Sequence, residues 1–326
     1  MSWKSFSGNK GDRQAMKKVV QRLATEADTL SLGALEGDEE RIQRVRSPRW
    51  IGYPTAKRIL KRLEDLLTYP PTHRMPGLLI VGDTNNGKTM IINRFERLHP
   101  ADDNPEDETI RLPVLIVQAP PTPAEGRFYD AILTKLAAPF RHNDSPGRKQ
   151  FQIITILRRV GLRMLIIDEI HDIVAGSLLQ QHNFRNTIKH LSNDLKIPIV
   201  GVGIREAFNA FQTDPQLANR FEPVFLPRWT IGDGVKPDTD PFLQLLASFE
   251  CMLPLKHRSN LTEPTLALKV LSMSEGLIGE VSAVLTKATV KAITSGKERI
   301  DLRVLEEIEF IPPSERKWRT EAKAAQ

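Results

Sequence analysis

One segment of the sequence has the composition and spacing of a phosphate-binding loop. Its residues are Gly82, Asp83, Thr84, Asn85, Asn86, Gly87, Lys88 and Thr89. They fit the pattern G-x-x-x-x-G-K-[ST] and lie between a strand-like run, LLIV, and a helix-like run, MIINRFERL. Small residues let backbone N–H groups surround phosphate oxygens, and the start of a helix attracts negative charge. We therefore expect this loop to bind ATP, with Lys88 on the β- and γ-phosphates and the Thr89 hydroxyl on Mg²⁺.

A pair of carboxylates, Asp168 and Glu169, follows the apolar run MLII about 80 residues after the loop. This is the form of a Walker B element. Asp168 is expected to bind Mg²⁺ together with Thr89, and Glu169 to polarise the water that attacks the γ-phosphate. An acidic pair after a strand is also a common way to begin a loop. The phosphate-binding loop upstream favours the catalytic interpretation.

Short apolar runs around these motifs predict the sheet that must position them. In chain order from residue 77 to residue 226 they are GLLIVG, LPVLIVQA, LRMLIID, IPIVGVG and EPVFL. They are unbroken, which is typical of central strands in a parallel sheet that is buried on both faces. After Pro227 the apolar residues follow helical spacing, without comparable strands. The sequence predicts an α/β fold of the AAA+ P-loop NTPase class, with a five-stranded parallel sheet and a small C-terminal helical lid subdomain.

These patterns also predict how the chain is divided. Residues 1–45 mix basic and acidic stretches and are expected to form an N-terminal extension. Residues 46–230 are predicted to form the α/β nucleotide-binding subdomain, and residues 231–311 the helical lid. Residues 312–326 are polar, basic and led by proline, so we expect a flexible tail.

Composition and charge narrow the class of protein. The 326 residues are 40% hydrophobic, and they include no apolar run near the roughly 20 residues that cross a bilayer. With Cys251 as the single cysteine, we expect a soluble cytoplasmic protein with no membrane partner. The net charge is +6, and residues 1–74 hold 15 Lys+Arg against 9 Asp+Glu. This surplus suggests a polyanionic partner, although a solvated basic face is an equally good interpretation.

Several longer segments resemble the TniB/TnsC family of AAA+ transposition regulators, and TniB most closely. Residues 46–89, RSPRWIGYPTAKRILKRLEDLLTYPPTHRMPGLLIVGDTNNGKT, carry the most specific match. The resemblance continues through LIIDEIHDI, HLSNDLKIPIVGVGIREA and LANRFEPVFLP, so that it covers roughly residues 46–230. It implies an ATP-dependent regulator of DNA transposition that forms an oligomer on double-stranded target DNA. It also implies two protein partners, a DDE transposase similar to TniA and a targeting protein similar to TniQ.

An arginine from a neighbouring subunit often completes the site in AAA+ rings. Arg220 precedes the last strand-like run and is the candidate for this role, with Arg205 and Arg185 as weaker candidates. A local ion pair of Arg220 with Glu222 or Asp214 is the structural alternative.

Two polar residues that AAA+ proteins often carry have no evident counterpart in this sequence. Glycines end the run IPIVGVG where a sensor-1 side chain is usual, and Glu280 stands where a sensor-2 arginine is common. A glycine has no side chain that could bond a phosphate, so the sensor-1 role stays unassigned. A carboxylate at position 280 makes weak intrinsic hydrolysis plausible.

Three functions remain compatible with the sequence. The first is an ATPase switch, in which ATP holds a DNA-bound oligomer together and hydrolysis disassembles it. The second is a helicase loader or origin-type AAA+ ATPase, which would differ mainly in its partner. The third is a nucleotide-stabilised DNA-binding scaffold with vestigial turnover. Co-purification with a helicase or a transposase separates the first two, and a steady-state ATPase assay separates the third.

Overall fold

The computed structural model describes residues 37–102, 110–232 and 239–316. They form two compact units. One is Gly52–Pro227, and the other combines the described residues up to Ile51 with those from Arg228 onward. Most of the predicted N-terminal extension and residues 317–326 of the predicted tail lie outside the described residues. The division into four segments stays a prediction.

The first unit is built on a five-stranded parallel sheet in the order β2-β3-β4-β1-β5. The strands are β1 (Gly77–Gly82), β2 (Val114–Gln118), β3 (Met164–Asp168), β4 (Ile199–Gly203) and β5 (Phe221–Leu226). All residues of β1, β3 and β4 are buried, as their unbroken apolar runs predict. The predicted sheet is therefore confirmed, strand by strand.

Helices cover this sheet. They are α2 (Pro54–Leu67), α3 (Lys88–Leu98), α4 (Glu125–Lys135), α5 (Pro146–Arg159), α6 (Leu178–Leu195), α7 (Arg205–Gln212) and α8 (Pro215–Ala218), with a 3₁₀ helix at Ile170–Val174. Leu79, Leu165 and Ile167 of the sheet belong to one buried cluster with Phe128 and Phe184 of the helices. This core fixes the strands against their helices.

Because all five strands are parallel, each connecting segment leaves the sheet at its carboxyl edge and returns at its amino edge. Each strand ends at the carboxyl edge of the sheet, where the phosphate-binding loop follows β1 and the acidic pair ends β3. Arg220 lies at the opposite, amino edge, because it comes directly before β5 and Phe221 pairs with Gly77. Along β1 the two edges are about 17 Å apart, from the rise of roughly 3.3 Å per residue.

The described residues of the second unit form helices and contain no strand. The helices are α1 (Asp38–Arg46), α9 (Pro241–Glu250), α10 (Pro264–Ser274), α11 (Ile278–Thr294) and α12 (Leu302–Glu307). Asp240 caps α9 by accepting the backbone N–H groups of Phe242 and Leu243. In the described part of the chain, no helix combines the length and apolarity that crossing a membrane requires.

Candidate functional site

The loop after β1 has a backbone that favours glycine and small polar residues. Gly87 has φ +82° and Asn85 has φ +61°, both in the left-handed region. A Cβ added at Gly82 would lie 3.0 Å from the Cβ of Leu226, so the loop begins where β1 passes close to β5. The amide of Asn86 donates to the backbone oxygens of Leu226 (2.9 Å) and Pro227 (3.1 Å). These contacts hold the loop against the end of β5, at the carboxyl edge of the sheet.

Lys88 is a buried cation, with 6% of its surface exposed. Its Nζ donates to the backbone oxygens of Gly82 (2.9 Å) and Asp83 (2.8 Å), and it makes no ion pair within the described residues. Burial lowers the pKa of Lys88 below its ordinary value of 10.5, while the more distant Glu169, Asp168 and Asp83 oppose the shift. The loop therefore contains a positive charge that the described residues do not neutralise by direct contact.

Thr89 and Asp168 meet across the carboxyl edge. The Thr89 hydroxyl donates to Asp168 Oδ2 at 2.9 Å, and the backbone N–H of Glu169 donates to Asp168 Oδ1, also at 2.9 Å. Asp168 is buried at the last position of β3. A hydroxyl oxygen and a carboxylate oxygen side by side are the donors that Mg²⁺ prefers. They lie next to the start of α3, whose first turn has no side-chain cap.

Glu169 directly follows Asp168 at the end of β3. Its backbone has φ +54°, which ends β3 and turns the chain into the 3₁₀ helix. Its carboxylate Oε2 lies 3.2 Å from Nδ1 of His171, and 39% of the side chain is exposed. The structure thus places a partly exposed carboxylate next to Asp168 in the chain and in contact with His171.

The glycines of β4 serve packing. A Cβ added at Gly201 would lie 2.9 Å from a methyl group of Leu79, and one at Gly203 would lie 3.0 Å from the Cβ of Ala207. Side chains at these positions would clash with the neighbouring strand and helix. This explains why β4 ends without a polar side chain.

Arg220 is a half-buried cation without a carboxylate partner in the described residues. Its Nη1 donates to the Asn193 side chain at 3.0 Å, while Nε is buried without a described hydrogen-bond partner. The two carboxylates that could have paired with it are held by other cations. Glu222 binds Arg62 at 2.9 Å, and Asp214 binds Lys189 at 3.1 Å. The pKa of Arg220 is lowered, first by burial and then by the like charge of Arg74.

The two weaker candidates differ from Arg220. Arg185 donates to the Thr213 hydroxyl (3.4 Å), and its Nε lies 3.9 Å from Asp214. Arg205 is exposed at the first position of α7, on the carboxyl edge. Among the three, Arg220 combines partial burial with the absence of a described ion pair.

In the helical unit, Glu280 has a partner that the sequence did not suggest. This buried carboxylate accepts two hydrogen bonds from Arg316, at 2.8 and 2.6 Å. Arg316 also lies over the ring of Phe310 at 5.4 Å. The ion pair spans 36 residues and has no local sequence pattern, so only the folded chain reveals it.

Sequence reasoning also missed His171 and the structural role of the Asn86 side chain. The Asn86 side chain fixes the loop to the end of β5, and His171 contacts the carboxylate of Glu169. For His171, the local sequence offers only a polar residue two positions after Glu169, which is a weak indication of a contact between them. The role of Asn86 depends on β5, which lies about 140 residues further along the chain.

Solved structures with a similar fold share little sequence with this chain. The ORC1 protein of Aeropyrum pernix, solved in complex with DNA, matches with a TM-score of 0.55 and 16% identity over 81% of this chain and 67% of that one. The ORC2 protein of the same organism, solved in ADPNP-ADP complexes, matches with 0.53 and 15% over 81% and 70%. Cdc6p of Pyrobaculum aerophilum matches with 0.52 and 17% over 78% and 67%.

With the all-parallel sheet, these likenesses confirm the predicted AAA+ fold class. No curated protein sequence matched the chain. The model of one family, described as "Bacterial TniB protein", matches residues 41–231. That range is more than half of the 326 residues and contains the phosphate-binding loop, the acidic pair and Arg220. The chain belongs to the TniB family.

Proposed function

We propose that this protein is an ATPase that regulates DNA transposition by assembling on double-stranded target DNA. The observation that carries the proposal is the buried, un-neutralised Lys88 at the start of α3, beside the Thr89–Asp168 contact. A buried cation without an anion costs free energy unless a ligand supplies the charge. In a TniB-family chain, the ligand that fits is the triphosphate of ATP.

The residues of the loop fit this group. Backbone N–H groups from Gly82 to Thr89 would surround the β- and γ-phosphates, and the left-handed backbone at Asn85 and Gly87 gives the curve that this requires. Asp83, Thr84 and Asn86 complete the loop. Lys88 would exchange its contacts with the two backbone oxygens for phosphate oxygens.

Thr89 and Asp168 would hold Mg²⁺ through one hydroxyl and one carboxylate oxygen. When bound, this ion supplies positive charge to the oxygens of the transferred phosphoryl group. Glu169 would accept a hydrogen bond from the attacking water and orient it. Its carboxylate lies 3.2 Å from Nδ1 of His171, and this contact would help to fix its position.

Arg220 would act on the nucleotide of a neighbouring copy. It lies at the amino edge of the sheet, about 17 Å along β1 from the loop of its own chain, which is longer than an arginine side chain. A guanidinium on that edge can stabilise phosphate charge in a second subunit. Hydrolysis would then require an oligomer.

Family membership and the charge of +6 support the rest of the proposal. DNA binding is expected to be electrostatic and largely independent of sequence. The protein partners would be a TniA-like DDE transposase and a TniQ-like targeting protein. ATP would stabilise the DNA-bound oligomer, and hydrolysis would release it after the transposase is engaged.

Glu169→Gln tests this switch. The amide keeps the size of the side chain but has neither the negative charge nor the basicity of a carboxylate, so ATP binding persists and turnover falls by about 100-fold or more. DNA-bound oligomers should then survive in ATP as long as the wild type survives in a non-hydrolysable analogue, followed by gel filtration with labelled duplex. Asp172→Asn, on the same 3₁₀ helix, is the matched control and should disassemble normally. Loss of ATP binding in Glu169→Gln would show that Glu169 is structural.

A further inference from the structure

The connection between β2 and β3 is strongly basic. Residues 119–163 hold eight Lys+Arg against three Asp+Glu, a surplus of five. Residues 75–326 as a whole are balanced, with 31 of each, so the remainder of that region carries the opposite charge. The positive charge is therefore concentrated on one connection, which contains α4 and α5.

Two of the three carboxylates of this connection are occupied within it. Asp130 binds the buried ammonium of Lys149 at 2.7 Å, and Asp144 lies 3.4 Å from Arg148. Lys135, Arg141, Arg159 and Arg163 are exposed and make no ion pair in the described parts of the chain. The unpaired cations face solvent.

Helix α5 arranges part of this charge along one face. Arg148, Phe151, Thr155 and Arg159 follow helical spacing and are all exposed, whereas Ile153 and Leu157 on the other side are fully buried. Phe151 has 75% of its surface exposed, although it is one of the larger apolar side chains. The two arginines are about 16 Å apart along the axis, at roughly 1.5 Å per residue.

We propose that this α5 face is where the protein grips duplex DNA. The proposal deepens the proposed function, because it assumes that DNA is the polyanionic partner. Arg159 has no described ion pair, and Arg148 would exchange its 3.4 Å contact with Asp144 for a phosphate. The two guanidiniums then suit phosphate oxygens on either side of a groove, since the major groove of B-DNA is about 12 Å wide. Phe151 lies between them and would enter the groove to contact sugars and base edges, as apolar side chains of DNA-binding proteins do. Neither arginine reads a base in this arrangement, so binding tolerates any sequence.

The test compares two pairs of cations. Arg148→Ala/Arg159→Ala removes two charges from the α5 face, and Lys57→Ala/Lys61→Ala removes two exposed charges from α2, in the basic N-terminal region. Binding of the full chain to a labelled random-sequence duplex is measured against salt, with a non-hydrolysable ATP analogue present. The α5 variant should lose about 1.8 from the slope of log affinity against log salt, at 0.9 per phosphate contact. The α2 variant should keep the wild-type slope.

Phe151 has its own signature. Phe151→Ala should bind duplex roughly 10-fold more weakly at every salt concentration, with the slope unchanged, because the ring carries no charge. Phe151→Trp should restore most of the affinity. ATP binding and the thermal midpoint of all four variants should match the wild type, since every substituted side chain is exposed.

Each other outcome has a defined meaning. A wild-type slope in the α5 variant, or an equal loss in the α2 variant, would overturn the assignment of this face. So would an α5 variant that fails to form oligomers without DNA, because the face would then join copies of the chain. If the wild type itself does not bind duplex with nucleotide present, the proposed function fails and the α5 variants add nothing to that failure.

Discussion

Arg41 in the helical unit and Lys88 in the sheet unit are both buried cations, and they are neutralised differently. In the helical unit, the guanidinium of Arg41 has no exposed surface and binds both carboxylate oxygens of Glu298 at 2.8 Å, Asp38 at 2.6 Å and the backbone oxygen of Pro254. In the sheet unit, Lys88 is nearly as buried but contacts only two backbone oxygens.

The pKa values of the two cations are shifted in opposite directions. The carboxylate of Glu298 raises the pKa of Arg41, whereas burial lowers the pKa of Lys88. A cation that serves the fold is saturated by anions of its own chain, and a cation that serves a ligand is left for the ligand to neutralise. Arg220, with no described ion pair and a lowered pKa, follows the pattern of Lys88.

The largest expected effect is on ligand binding at Lys88. Lys88→Ala should reduce binding of a labelled ATP analogue to background and remove ATP-dependent association with DNA. The free energy of unfolding without nucleotide should stay level or rise, because a buried charge without a partner has been removed. Urea unfolding and a binding titration on the same protein check both halves. Unchanged affinity for the analogue would rule out the phosphate-binding role.

Arg220 extends the comparison to a second subunit, because the phosphate that neutralises it should belong to the nucleotide of a neighbouring copy. Arg220→Ala should bind ATP normally, yet lose DNA-stimulated turnover by roughly 1000-fold, the scale of an arginine that stabilises phosphate charge in trans. Mixing it with Lys88→Ala should restore part of the activity, since one subunit then has an intact loop and its neighbour an intact arginine. No recovery despite demonstrated co-assembly would show that Arg220 acts in its own chain or only packs.

Arg41 should show the reverse of the Lys88 result. Among the described residues, Arg41→Ala leaves the half-exposed Lys256 as the one remaining cation beside the buried Glu298, so the free energy of unfolding should fall by about 3 kcal/mol. ATP affinity of the folded protein should be unchanged. Arg41→Ala/Glu298→Gln removes the stranded carboxylate and should recover much of the loss. If Arg41→Ala is as stable as the wild type, Arg41 does not stabilise the fold and does not differ from Lys88 in this respect.

What the sequence could predict depends on how far apart the interacting residues lie. The phosphate-binding loop and the acidic pair are contiguous, and their flanking strands appear as unbroken apolar runs, so both could be placed without a structure. Glu298, which binds Arg41 through both carboxylate oxygens, lies 257 residues away, and no local sequence pattern indicates this contact. Sequence separation also hid two other ion pairs, Arg62 with Glu222 across 160 residues and Lys189 with Asp214 across 25. These pairs leave Arg220 without either carboxylate.

Averaging also hides information that the sequence contains. Summed over residues 75–326, the charges cancel, and the N-terminal region looks like the sole basic part of the chain. Only the boundaries of β2 and β3 isolate residues 119–163 as a basic connection, and only burial shows that Arg148, Phe151 and Arg159 share the solvent face of α5. Charge patterns become informative once the elements that carry them are known.

The smallest expected effect is a pH dependence confined to the helical unit. The hydrogen bond from Arg41 lowers the pKa of Glu298 from its ordinary value of 4.5 to about 2. A lowered carboxyl pKa stabilises the fold fully above the unfolded value and is lost as the pH falls toward the folded value. The stability gap between the wild type and Arg41→Ala should therefore be constant from pH 7 to pH 5 and shrink between pH 4.5 and pH 2. Urea unfolding of both proteins at each pH measures that gap, and comparing them cancels the carboxylates they share. A gap that stays constant into acid would mean that Arg41 stabilises the unit by packing, and the contrast with Lys88 would then not rest on charge.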